Sequence, residues 1–446
     1  MNTPIADFLR RYAVSGVSRL HMPGHKGRAF LGCEALDITE IAGADALYEA
    51  DGIIAESERS AASLFGSART LYSTEGSSQC IRAMLRLCLL ARPSEAGRPV
   101  IVAARNVHKA FITACALLDA DVCWLWPEGE RTSLCACPVT AQTLARTLDS
   151  LSAPPAAVYI TSPDYLGNEA DIAALSAVCH ARGVLLAVDN AHGAYLRFLS
   201  PSRHPLDLGA DLCCDSAHKT LPVLTGGAYL HIAKRAPASM TENAKQAMAL
   251  FGSTSPSYLT LASLDLCNAY LAEDYAARLE QTASRLGCLR RELRALGWQT
   301  LPSDPLKVTI DAASGGLTGA QLAERLRAGG VECEYADERC LVLMATPENP
   351  EIDLSRILSA CGQASRPMVC SPLPIVQAPR ATSIRKAMLA PQELLPAAQS
   401  LGRICGAPTV ACPPAIPVAV SGEIITEEAV RVFERCGVTS VSVVIE

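Results

Sequence analysis

Short apolar runs rich in β-branched residues recur along the chain, with segments of helical spacing between them. Residues 100–103 (Val-Ile-Val-Ala), 157–161 (Ala-Val-Tyr-Ile-Thr), 184–189 (Val-Leu-Leu-Ala-Val-Asp) and 228–232 (Ala-Tyr-Leu-His-Ile) read as buried strands. Between two of them, residues 171–182 place apolar side chains at helical intervals and end at Gly183, a helix stop. This βαβα alternation predicts an α/β fold, with a parallel sheet covered by helices on both faces. From about 257 to 296 the pattern is helical with few breakers, which predicts one long helix connecting a large domain to a small one. Residues 307–310, 340–344 and 441–445 then read as strands of a second α/β unit. The expected domains are therefore 1–296, with an amino-terminal segment of about 1–60, and a smaller carboxy-terminal α/β domain, 297–446.

Composition narrows this picture. At 446 residues, half of them hydrophobic and 19% charged, the chain can bury one large core and a smaller one. The net charge of −6 offers no basic surface for nucleic acid or membrane. The chain starts without a basic segment leading into an apolar core, so no signal peptide is expected. No apolar stretch is long enough to span a bilayer, and the apolar 407–420 region is broken by prolines. The cytoplasm is the expected location. Of the 19 cysteines, Cys80, Cys88, Cys115 and Cys179 sit in apolar runs, where a thiol acts as a small hydrophobe. Cys135-x-Cys137 and Cys213-Cys214 are poor ligand pairs, and zinc spacing is absent, so no metal is expected.

Ligands of open α/β sheets bind beyond the carboxyl ends of the strands, and the chemically interesting residues fall there. Asp189 closes the apolar run 184–189 and is followed by Asn190-Ala191-His192-Gly193. Further on, Ser216-Ala217-His218-Lys219 leads into Thr225-Gly226-Gly227. A lysine in such a turn, after a strand ending in a carboxylate, suits a pyridoxal phosphate (PLP) site. Lys219 would form the Schiff base, and Asp189 would keep the pyridine nitrogen protonated. Ser216 and His218 can donate to a phosphate. His192 can reach the ring hydroxyl or a substrate carboxylate. Gly76-Ser77-Ser78 enters a helix and offers N–H groups, hydroxyls and the positive helix end to an anion. His108, after the strand 100–103, is placed to stack on a flat cofactor.

With these segments in view, the chain resembles the Orn/Lys/Arg decarboxylase family of fold-type-I PLP enzymes, in its shorter bacterial form. His21-Met22-Pro23-Gly24-His25-Lys26 resembles the family's His-x-Pro-Gly-His-Lys signature, and Asp37-Ile38-Thr39-Glu40, Glu56-Ser57-Glu58 and Leu64-Phe65-Gly66 match its amino-terminal region. Ser253-Thr254-Ser255-Pro256-Ser257-Tyr258-Leu259 and Ala262-Ser263-Leu264-Asp265 resemble another of its strings, and Pro413-Pro414-Ala415-Ile416-Pro417 echoes its Pro-Pro-Gly-Ile-Pro element. The resemblance implies Lys219 as the Schiff-base lysine, Asp189 as the pyridinium partner and His108 stacked on the ring. It implies Gly76, Ser77, Ser78, Ser216 and His218 around the phosphate. Thr254 or Ser255 would reach the phosphate of a neighbouring subunit, so that a homodimer shares its sites.

The resemblance further implies decarboxylation of a basic amino acid (lysine, arginine or ornithine) to an amine and CO2, in polyamine metabolism. The residues themselves point to the cofactor and leave the broken bond open. Transamination, aldol cleavage, an oxidative variant and a non-catalytic PLP-binding role are the alternatives. The chain departs from the family at Asn190, where Glu is common, at Cys80 and Ala415, where Gly is usual, and at Lys386, Ala407 and Cys412. The carboxy-terminal departures remove acidic residues suited to a distal substrate cation.

Overall fold

A computed structural model describes residues 1–93, 97–129, 133–410 and 414–445. Cys412 and Pro413, two of the positions singled out in the sequence, lie outside the described residues. Contacts divide the chain into two units, residues 1–94 with 172–278 and residues 95–171 with 279–446. This division interleaves the chain, whereas the sequence pattern points to a boundary near 296.

Seven strands follow in chain order: β1 (Arg69–Ser73), β2 (Val100–Ala104), β3 (Asp121–Leu125), β4 (Ala157–Thr161), β5 (Leu185–Asp189), β6 (Leu212–Asp215) and β7 (Ala228–Ile232). The first unit holds β1, β7, β6 and β5, hydrogen-bonded in that order. β5 and β6 run parallel, with Asp189 opposite Cys214. β7 runs antiparallel to both β6 and β1, a reversed strand within the mostly parallel arrangement expected of the major domain. Every residue of β5 is buried, which is why it reads as an unbroken apolar run. The helix Gly76–Ala91 packs against this group of strands, and Cys80, Met84, Leu87 and Cys88 on it are buried.

In the second unit β2 pairs in parallel with both β3 and β4. A separate antiparallel sheet follows, made of β8 (Gln299–Leu301), β9 (Lys307–Asp311), β10 (Tyr335–Ala336) and β11 (Cys340–Met344), in the order β10-β11-β9-β8. Two short pairs complete the unit: β12 (Gln392–Pro396) with β15 (Ser440–Val444), and β13 (Thr409–Val410) with β14 (Pro417–Ala419). The predicted strand near 441–445 thus lies beside β12 and not in the antiparallel sheet.

The long helix expected over 257–296 is two helices, Tyr258–Ala272 and Tyr275–Ala295. No proline or glycine breaks it. Glu273 leaves the helical region at φ −85°, ψ −126°, and the Asp274 carbonyl accepts the first bond of the next helix from Arg278 N–H at 3.1 Å. Aspartate is favoured at such a starting position.

All 18 described cysteines are free thiols. Cys80, Cys88, Cys115 and Cys179 are buried, and burial pushes their thiols up, that of Cys179 to about 12. They pack as small hydrophobes. Among the described residues no helix is long and apolar enough to cross a membrane.

Candidate active site

The first unit gathers most of the residues singled out in the sequence. β5 delivers Asp189 at its carboxyl end, 2% exposed. Its Oδ1 accepts the Ala191 N–H at 3.2 Å and the Cys214 thiol at 3.7 Å. The chain then turns sharply, Gly193 N–H donating to the Asn190 carbonyl at 2.8 Å. A Cβ on Gly193 would stand 2.0 Å from Asn190 Oδ1, so a larger residue here would have to displace the Asn190 side chain. The turn brings His192 Nε2 to 3.1 Å from Lys219 Nζ.

Lys219 comes from the other side, off the end of β6. Ser216 opens a single helical turn, Ala217–Thr220, that carries His218 and Lys219. The Ser216 hydroxyl donates to Ser77 Oγ at 2.8 Å. His218 N–H donates to the Gly227 carbonyl at 3.2 Å, and its Nδ1 lies 3.0 Å from the same oxygen. With Nδ1 committed as a donor, a neutral His218 keeps only an acceptor at Nε2. Gly226, at φ +95°, accepts from Gly76 N–H at 2.7 Å and leaves no room for a Cβ, which would meet the Thr74 carbonyl at 2.7 Å. The lysine turn and the start of the helix Gly76–Ala91 are thus tied at two points.

That helix start suits an anion. Glu75 stands at the N-cap and makes no side-chain cap bond; its carboxylate instead accepts from Ser253 N–H. Gly76 has nothing within 4 Å of where a Cβ would stand. Ser77 and Ser78 lie in the first turn beside Ser216. Gln79 anchors the turn, accepting from Ser73 Oγ at 2.6 Å and donating to Tyr48 OH at 2.8 Å and to the Met248 carbonyl at 2.9 Å. An uncapped N-terminus with three hydroxyls, a lysine and a strand-end carboxylate is a donor set that fits the phosphate, aldehyde and ring nitrogen of PLP.

The other expected residues lie on separate segments of the chain. His108 belongs to the second unit, where it caps the helix Lys109–Leu118 through Nδ1, accepting from Ala110 N–H at 3.1 Å. Thr254 and Ser255 are exposed on the loop whose Ser253 is held by Glu75. Other residues that shape the site gave no signal in the sequence: Gln79, Tyr48 and Gly252, where a Cβ would stand 1.7 Å from Tyr48 OH.

A family model described as "Orn/Lys/Arg decarboxylase, major domain" matches residues 3–297. The chain belongs to the Orn/Lys/Arg decarboxylase family. Within that family it is 30% identical to an arginine decarboxylase of Halalkalibacterium halodurans over 461 residues, covering 95% of this chain and 91% of the relative. It is 29% identical to an arginine decarboxylase of Bacillus subtilis over 465 residues, covering 96% and 92%. Among solved structures, a lysine decarboxylase of Francisella novicida superposes with a TM-score of 0.82 at 17% identity, over 99% of this chain and 81% of that one. The fold is therefore that of the PLP-dependent fold-type-I enzymes.

Proposed function

We propose that this protein is a PLP-dependent decarboxylase that converts a basic amino acid (lysine, arginine or ornithine) to its amine and CO2. The observation that carries the reading is Lys219 Nζ, 3.1 Å from His192 Nε2, on a turn tied to the uncapped start of the helix Gly76–Ala91. The arginine decarboxylases that share about 30% identity over nearly the whole chain support the substrate class.

PLP, when bound, supplies an aldehyde for Lys219 and a ring that accepts the electron pair of the bond to the departing carboxylate. Lys219 would anchor it. Asp189, buried at its strand end, would hold the ring nitrogen protonated, and His108 would stack on the ring. Gly76, Ser77, Ser78 and Ser216 would hold the phosphate, with His218 fixed to the Gly227 carbonyl. The reaction consumes one proton at Cα for each CO2 released. The Lys219–His192 pair is placed to hold and deliver it, because one ring nitrogen faces the amine at hydrogen-bond distance. The protein acts in the cytoplasm as a homodimer, with Thr254 or Ser255 reaching the phosphate of the neighbouring subunit. Its amine product places it in polyamine metabolism.

Purified protein loaded with PLP and given lysine, arginine and ornithine in turn tests this. The expected result is CO2 and the matching amine from one of the three. Lys219→Ala should lose both the activity and the visible absorbance of the lysine-linked cofactor. Absorbance without CO2 from any of the three would refute the basic-amino-acid reading and leave the lysine assignment standing.

A further inference from the structure

On the side of β1, β6 and β7 that holds Tyr72 and Tyr229, the first unit encloses a polar cluster without access to solvent. His204, Asp215 and His231 are each 0% exposed. Both imidazoles approach one carboxylate oxygen: His204 Nε2 lies 3.1 Å and His231 Nε2 3.2 Å from Asp215 Oδ2. Asn190 Nδ2 donates to the other oxygen at 2.7 Å. Thr70 Oγ1 is 2.8 Å from His231 Nδ1 and 2.8 Å from Ser67 Oγ. When the Thr70 hydroxyl donates to Nδ1, the hydrogen of a neutral His231 sits on Nε2, facing the carboxylate. Burial pushes the Asp215 carboxyl up, but the two imidazoles outweigh it and hold the group well below the usual carboxylate range. Burial holds His231 below its usual value. The cluster is thus built around a carboxylate that accepts three N–H donors.

Its place in the chain gives it a consequence. Asp215 ends β6, and the next residue is Ser216, which donates to Ser77 and opens the turn of Lys219. Asn190 directly follows Asp189. The Asn190–Asp215 bond therefore joins the neighbours of Asp189 and Ser216, the residues that would hold the ring nitrogen and the phosphate of PLP. The backbone supports the same junction, Asn190 N–H donating to the Cys214 carbonyl at 3.0 Å.

We propose that Asp215, acting through Asn190, is a positioning residue of the cofactor site: it fixes the Asp189 strand end against the Ser216–Lys219 turn, with His204 and His231 holding it in place. The inference rests on the PLP reading given above. His204, Asp215 and His231 also have the composition of a metal-binding set, yet at these distances the carboxylate already satisfies both imidazoles without an ion.

Asn190→Ala removes the bridge and leaves Asp215 with its imidazoles. Asp215→Asn removes the charge but can keep the bridge: Asn190 Oδ1 has no hydrogen-bond partner among the described residues, so its amide can turn and accept from the new NH2 group. The quantities to measure are PLP affinity from the lysine-linked absorbance, kcat and KM for the amino acid, and the thermal midpoint. Outer partners of this kind typically change site function by about 10- to 100-fold. Asn190→Ala should weaken PLP binding and lower kcat by about tenfold each with KM within about twofold, and Asp215→Asn should recover most of kcat. Asn190→Ser gives the same readout if the alanine variant does not fold. PLP affinity and kcat within about twofold of wild type in the bridge-less variant, whatever its thermal midpoint, would overturn the proposal. So would one equivalent of zinc in the purified protein that His204→Ala removes, because the cluster would then be a metal site. Wild-type protein without a Lys219-dependent absorbance would overturn the cofactor reading itself, and this inference with it.

Discussion

Replacing Asp265 with alanine should loosen the amino-terminal helix without detaching it. The helix Pro4–Ala13 begins at Thr3 with no side-chain cap of its own. Ile5 N–H and Ala6 N–H donate instead to Asp265 Oδ2, at 2.9 and 3.0 Å, across 260 and 259 residues of sequence. Asp265 Oδ1 accepts the Ser57 hydroxyl at 2.5 Å, and the carboxylate is fully buried. In Asp265→Ala, Ser57 can turn to Tyr72 OH, 2.8 Å away, but the two N–H groups lose their acceptor. A buried donor left unpaired costs about 1–2 kcal/mol, so the pair costs about 2–4 kcal/mol. Releasing the helix would expose Ile5, Ala6 and Leu9, all buried, at about 4–6 kcal/mol. Burial wins, and the helix stays docked. Its opening free energy still falls by about 2–4 kcal/mol, so amide exchange over residues 4–13 should accelerate by about 30- to 1000-fold. Asp265→Asn keeps one oxygen for both N–H groups and should show an acceleration at least about tenfold smaller. Hydrogen exchange followed by mass spectrometry reads both variants. Exchange in the alanine variant within about threefold of wild type would refute the assignment of Asp265 as the cap of this helix.

Two further predictions concern the proton and the pH. His192→Gln should lower kcat by about 10²- to 10⁴-fold with KM within a few-fold, because the proton partner of Lys219 is lost; steady-state kinetics with a kcat near wild type would remove His192 from the chemistry. Asp164 is 4% exposed, and burial pushes its carboxyl up to about 6. The folded state then binds this proton more tightly than the unfolded chain, so the stability it contributes is present below about pH 4 and is lost as the pH rises to about 6, a change of about 3 kcal/mol. Urea denaturation of Asp164→Asn across pH 4–6 should show about 2 kcal/mol less decline with rising pH than wild type, and equal slopes would contradict the raised value.

The candidate site was legible where it is local in sequence. Asp189 announces itself because β5 is buried on both faces, so an apolar run that stops at a carboxylate marks a strand end. Lys219 stands out because Ser216, His218 and the glycines after it have few other uses in so short a turn. What stayed hidden depends on distant partners. β6 is four residues long and half cysteine, too short and too poor in β-branched residues to read as a strand. β1 begins with Arg69 and carries Thr70 and Ser73, so its burial shows only once β7 lies beside it. Asp215, His204 and His231 are spread over residues 204–231, with no motif spacing among them. Nothing short of the strand pairing reveals that they meet. Asn190 is the instructive case. Against the family's Glu it reads as a loss of charge, yet in the fold its amide donates to the Asp215 carboxylate at the end of β6. The variants that separate bridge from charge bear directly on whether the site depends on where that carboxylate sits or only on the hydrogen bond it accepts.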